Sequence, residues 1–191
     1  MKVDRRTLIA ECAVTIIADQ GPRALTHRAV DHSLKLPAGS TSYYFRTREA
    51  LLESIALHIV ERSRSAFTEL LGTHIAPSRL TAEYLDDLLT HRRNELIARY
   101  ALLIEMQGKL ELCKLLAGSL FSQEKAHEAF QSAGVAEPDS AAADFLSLLE
   151  GLIFDHCLGA RSRDTAEPGT TERIRRLQIP IDAYLRGVNA R

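Results

Sequence analysis

The 191-residue chain has no tryptophan, three cysteines, two methionines and only 6% aromatic residues. Cys12, Cys113 and Cys157 are widely spaced, form no CxxC pair and leave an odd thiol, which argues against a secreted disulfide scaffold. Long apolar runs are also missing. The longest charge-free stretch, residues 36–45, falls well short of the ~18 apolar residues a membrane-spanning helix needs, and it carries Gly, Pro and Ser. Asp4, Glu11 and Asp19 interrupt the N-terminal segment, which no secretory signal tolerates. Runs of β-branched residues and sustained strand-like alternation are absent. So are HExxH, GxSxG, a P-loop and GxGxxG. Among seven histidines, only His127 completes a Glu-x-x-His, with Glu124, whereas a carboxylate-bridged metal pair needs that motif on two helices. Asp155 and His156 are adjacent and diverge on a helix. These absences predict a soluble, cytoplasmic, all-α protein that is not an enzyme and takes no cofactor or metal.

What is present is uneven. Residues 1–48 carry eight Lys/Arg against four Asp/Glu, while residues 49–191 carry 16 against 21, for a net charge of −1 overall. A basic end on an acidic body fits a chain of which one part meets a polyanion, although clustering on a solvated face gives the same count. A first helix starts after Asp4 with Leu8, Ile9, Cys12, Ala13, Ile16 and Ile17 on one face, and Gly21-Pro22 stops it. Thr26 sits at an N-cap position for a short helix through Ala29, Val30 and Ser33. SLKLPA is then a turn, with a second short helix expected from Pro37 to about Tyr43. Two short helices around such a turn form a helix-turn-helix, whose second helix can enter a major groove.

That second helix is built of Ala38, Gly39, Ser40, Thr41 and Ser42, poor as core. Such residues suit close approach to bases and phosphates; they also suit a plain helical corner. Tyr43 and Tyr44 follow, then Arg46 and Arg48. Thr47 caps a long helix with Glu49 in its first turn, running to Gly72 through Leu51, Ile55 and Ile59. Further helices are read over 78–92 (capped by Ser78), 94–116 (with a possible break at Gly108), 122–133, 139/140–159 and 171–186, the last carrying Pro180. Residues 163–170 read as a loop. About nine helices result.

The stretch LTHRAVDHSLKLPAGSTSYYFRTREALL, residues 25–52, resembles the helix-turn-helix signature of the TetR/AcrR family of bacterial transcriptional regulators. Gly21, Leu25-Thr26, Gly39, Tyr44-Phe45 and the Arg48–Leu52 helix start carry the likeness, which covers roughly residues 4–60. It implies an N-terminal three-helix DNA-binding domain over 1–48 and a helical domain over 49–191 for effector binding and dimerisation. It also implies DNA contacts from Thr26, His27, Arg28, Ala38, Gly39, Ser40, Thr41, Tyr43, Tyr44 and Arg48. Three positions depart from the family pattern. Lys35 stands at the usual turn glycine, Pro37 at the usual Ser/Thr cap, and Ser42 at the first family tyrosine.

The helix over 140–159 is apolar nearly all round, and must be covered on two faces. It reads either as a central core helix or as half of a two-fold interface formed with the last helix. The second reading assigns Leu146, Leu149, Ile153, Cys157, Leu177, Ile181 and Tyr184 to a homodimer contact. Tyr84, Tyr100, Met106, Phe121 and Phe130 are effector-pocket candidates, although their pattern favours core over ligand contact. The combined expectation is a homodimeric, ligand-responsive repressor released from a pseudo-palindromic operator by a small-molecule effector. A helical protein-interaction module without DNA affinity and a metal-dependent helical-bundle enzyme are the alternatives.

Overall fold

The computed structural model describes residues 4–71, 76–163 and 167–189. Among them are ten α-helices and no strand: α1 (Arg5–Gln20), α2 (His27–Ser33), α3 (Ser40–Tyr44), α4 (Arg48–Leu71), α5 (Pro77–Thr90), α6 (Arg93–Glu105), α7 (Leu110–Ala117), α8 (Gln123–Ser132), α9 (Pro138–Cys157) and α10 (Thr171–Asn189). Short 3-10 turns cover Pro22–Ala24 and Ala160–Arg163. Gly72 and part of the 163–170 loop lie outside the described residues. The 94–116 segment is two helices, because the chain turns at 106–109 where the Lys109 amide bonds back to the Met106 carbonyl at 2.8 Å. Ser78 is buried and caps nothing; Pro77 opens α5 at the first helical position, where its missing N–H costs no helical bond. Pro180 lies inside α10. No helix is long and apolar enough to cross a membrane among the described residues.

The chain folds as two compact units, residues 65–93 with 121–191 and residues 1–64 with 94–120. In the former, α10 packs along α5 and α8 along α9. The buried Asp86 carboxylate on α5 receives Arg173 Nε at 2.7 Å and the Gly169 amide at 2.8 Å, which fixes the start of α10. Phe130, Ala141 and Ala142 form a core with Phe145 and Tyr184, and the Tyr184 hydroxyl donates to the Ala141 carbonyl at 2.8 Å.

In the latter unit, Ile9, Ala13, Ile16 and Ile17 of α1 are buried together with Leu25, Val30, Phe45, Leu51, Leu52 and Ile55. The α1 residues belong to the stripe that the spacing predicts, of which Leu8 is half-buried; Ala10 and Val14, outside it, are buried as well. Gly21 takes φ +81° and ends α1 there. Helices α6 and α7 are joined by the buried Arg99, which donates to the Leu116 carbonyl at 2.7 Å and the Ala117 carbonyl at 2.9 Å. Those are C-terminal carbonyls of α7, which have no partner within the helix. Ion pairs tie Arg62 to Glu95 at 2.8 Å and Lys109 to Glu49 at 2.6 Å.

Thr26 caps α2 by accepting the Ala29 amide at 3.0 Å, and Thr47 caps α4 by accepting the Ala50 amide at 3.1 Å. Between them the turn differs from its sequence reading in one respect. Pro37 does not open α3; Pro37 to Gly39 form a turn, Gly39 adopts φ +88°, and the helix starts at Ser40. The cap comes from α2 instead. The Asp31 carboxylate, buried in the unit, accepts the Gly39 amide through Oδ2 at 2.8 Å and the Thr41 amide through Oδ1 at 2.8 Å. Oδ1 also accepts the Thr41 hydroxyl at 2.6 Å. Burial pushes the Asp31 carboxyl up, but the Thr41 hydroxyl, the Thr41 and Gly39 amides and the nearby His27 together hold it below the usual aspartate range. Lys35 takes φ +53°, so a lysine bears the left-handed conformation that the turn demands.

Asp31→Asn is expected to cost about 1–3 kcal/mol in urea unfolding at neutral pH, because one buried amide loses its acceptor. The ionised carboxylate contributes fully above the unfolded aspartate pKa of about 3.9, and its contribution is lost as pH falls through the lower folded value. The gap between parent and variant therefore closes in acid; a gap that stays constant to low pH contradicts the assignment. Lys35→Gly is expected to raise the urea midpoint, by up to about 1 kcal/mol in stability.

Candidate nucleic-acid interface

The α2–turn–α3 element presents a surface that differs from the expected contact set in its details. Arg28, Ala38, Gly39, Ser42 and Tyr43 are exposed, with Arg46 just beyond, and Tyr43 is 81% exposed. Tyr44 is half-buried, edge-on to Tyr43 with ring centres 5.2 Å apart, and the Arg6 guanidinium lies 6.0 Å from its ring centre. Exposed guanidinium and hydroxyl donors are groups that orient a protein on a phosphate backbone. The small side chains let that backbone come close.

Besides Thr26, which caps α2, four predicted contact residues have internal duties. Thr41 is fully buried and its hydroxyl faces Asp31, so it stands behind the surface rather than on it. The period of α3 puts one residue of its first turn against α2, and position 41 is that residue. Arg48 is half-buried and donates from one guanidinium nitrogen to the Pro22 carbonyl at 2.8 Å. His27 Nε2 lies 2.7 Å from the Phe45 carbonyl, an acceptor only, so that nitrogen carries the proton. The Ser40 hydroxyl donates to the Pro37 carbonyl at 2.6 Å. Asp31 is the residue that reading the sequence missed. Its signal was the absence of a Ser or Thr cap at position 37, which left the next helix needing an acceptor from elsewhere.

The five effector candidates are not brought together. Tyr84 and Phe121 meet edge-on at 6.0 Å, and Phe130 belongs to the α8–α9 core. Tyr100 and Met106 lie in the unit of residues 1–64 and 94–120, with Arg99 5.3 Å from the Tyr100 ring centre. A cavity of about 620 Å³ opens elsewhere, lined by His156, Arg161, Arg163, Arg176, Ile179 and their neighbours, and includes none of the five. Among the described residues no three His, Cys, Asp or Glu side chains are grouped to hold a metal ion, and His127 instead faces Asp139 at 2.6 Å.

Five of the seven expected dimer residues need correction. Leu149, Ile153, Cys157, Leu177 and Ile181 are buried within the protomer, and Leu146 and Tyr184 are half-buried. The five buried side chains lie on helices packed against α5, α8 and each other and have no area left for a second copy. The exposed apolar groups of the same helices are Phe154, Leu158 and Ile179, each about half accessible. They continue lines of small exposed residues, Ala143, Ser147 and Gly151 on α9 and Ala183 and Gly187 on α10.

The family described as Tetracyclin repressor-like, C-terminal domain, matches residues 72–178. Several solved structures share the fold. A transcriptional regulator from Rhodococcus sp. Rha1 superposes with a TM-score of 0.75 at 17% identity, covering 97% of this chain and 98% of that one. A regulator from Aquifex aeolicus VF5 does so with a TM-score of 0.71 at 13% identity, over 93% and 98% of the two chains. The multidrug binding protein EbrR complexed with ethidium gives a TM-score of 0.60 at 21% identity, over 93% and 98%. No curated protein matches the sequence significantly. With more than half its length covered by the repressor family's C-terminal domain and its N-terminal part folded as a helix-turn-helix, the chain belongs to the TetR family of transcriptional regulators, which are not enzymes.

Proposed function

We propose that this chain is a homodimeric, cytoplasmic repressor that binds a pseudo-palindromic operator through α2 and α3 and leaves it when a small-molecule effector binds the helical portion of the chain. The observation that carries the reading is the exposed Arg28, Ala38, Gly39, Ser42 and Tyr43 surface on the basic end of an otherwise acidic chain. Residues 1–48 supply the DNA contacts, and residues 49–191 supply effector binding and dimerisation. Arg28 and Arg46 meet phosphates, while Ser42 and Tyr43 lie towards base edges and the adjoining backbone. In the dimer the two α3 helices stand about one helical turn of DNA apart, ~34–36 Å. The effector favours a state in which a tilt of α4 spoils that spacing. A two-state coupling of about 1–3 kcal/mol is enough to change occupancy 5–150-fold. That EbrR is recorded with ethidium and with imidazole supports a small organic molecule as the effector class.

The dimer face in this reading is the exposed side of α9 and α10. Ala143, Ser147 and Gly151 allow close helix approach, and Phe154, Leu158 and Ile179 supply apolar area. A Cβ added at Gly151 meets no atom within 4 Å, so substitution there tests association without disturbing the protomer.

Binding to genomic fragments captured by the protein is expected to weaken linearly on a log–log plot against salt, as phosphate contacts release counterions. Arg28→Ala should lower affinity for all sequences and reduce that slope by about one; a flat salt response in the parent removes the DNA-binding reading. Gly151→Glu is expected to convert a dimer into a folded monomer in analytical ultracentrifugation, with unchanged helical content by circular dichroism and lost operator binding. A variant that remains dimeric places the interface elsewhere.

A further inference from the structure

We infer that Asp31, which reaches no DNA itself, is the positioning residue that sets operator discrimination in this protein; the inference rests on the DNA-binding reading above. Helix α3 has five residues, far below the length at which a helix persists by itself. It has no cap from its own sequence, since Gly39 offers no side chain and Pro37 no hydroxyl. It also follows a turn in which Lys35, rather than a glycine, holds a left-handed conformation. What remains to orient α3 is its packing, the His27 ring nitrogen on the Phe45 carbonyl just past its C-terminal end, and the Asp31 carboxylate at its first turn. The three bonds of 2.6–2.8 Å to Gly39 and Thr41 come from two oxygens on one rigid planar group. A planar acceptor gripping two amides and a hydroxyl at the first turn fixes both the position and the rotation of α3 about its axis. Rotation is what decides whether Ser42 and Tyr43 meet base edges or slide past them.

The two components of DNA binding depend on Asp31 differently. Sequence-independent affinity comes from cations meeting phosphates, and Arg28 and Arg46 are exposed on elements that Asp31 does not hold through its carboxylate. Sequence-dependent affinity needs groups held at hydrogen-bond distances to base edges, and therefore needs α3 in one pose. Losing the carboxylate should leave the first component intact, or slightly raise it through loss of a negative charge. The second component should fall. His27 is the other titratable group acting on Asp31, and it reinforces the ionised form.

The test measures affinity for a duplex selected from genomic DNA by the parent protein and for a scrambled duplex of the same length, in Asp31→Asn, Thr41→Val and Thr41→Ser dimers. Circular dichroism confirms the fold of each. The selected-to-scrambled affinity ratio is expected to fall at least tenfold in Asp31→Asn, to fall less in Thr41→Val, and to hold in Thr41→Ser, which keeps the hydroxyl. Scrambled-duplex affinity stays equal or rises. If Asp31→Asn does not fold, Thr41→Val against Thr41→Ser decides. An unchanged ratio overturns the inference, whether both affinities drop together or neither moves. A parent protein that binds neither duplex overturns the DNA-binding reading instead.

Discussion

A single buried carboxylate carries an unusual share of this fold's geometry. Asp31 leaves α2 facing inward, and instead of pairing with a cation it accepts two amides and a hydroxyl from the start of α3. Burying an anion is unfavourable unless donors converge on it, and here they outweigh the burial, since the carboxyl stays easier to ionise than in water. The arrangement makes two helices of seven and five residues into one rigid element. Neither is long enough to be stable by itself. The exposed surface of α2 and α3 is therefore an outcome of an interaction on its hidden side.

The same economy of buried polar groups recurs through the chain. Arg99 closes the C-terminal carbonyls of α7, Asp86 holds Arg173 and the Gly169 amide at the start of α10, and Arg93 reaches the Cys157 carbonyl at 2.7 Å. Each places one long or charged side chain where a helix end would otherwise leave backbone groups without partners. In an all-helical protein with many short connections, helix ends are the weak points, and distant side chains supply what local caps do not. Thr26, Thr47 and Ser122 are local caps, and the first two were legible because a hydroxyl stood just before an apolar periodic run.

Legibility was high wherever the cause was local. The stripe of α1, its stop at Gly21 and the caps at Thr26 and Thr47 follow from residue type and spacing over a few positions. It failed where the cause was a neighbour in space. Thr41 reads as a surface hydroxyl until α2 is laid against it. Leu149, Ile153, Leu177 and Ile181 read as an interface until α5 and α8 cover them. The aromatic effector candidates show the same limit, because apolar spacing marks a residue as needing burial without naming what buries it.

The amino-acid order alone established an all-helical chain, the helix-turn-helix and its place near a basic N-terminus, since these depend on periodicity, turn chemistry and charge count. Only the tertiary structure decided that Asp31 caps α3, that Thr41 faces inward, and that Phe154, Leu158 and Ile179 are the apolar groups left exposed on α9 and α10. The physical reason is range. Backbone preferences and amphipathic stripes act over one or two helical turns, whereas which face of a helix is covered, and by which donor or acceptor, is settled by residues remote in sequence.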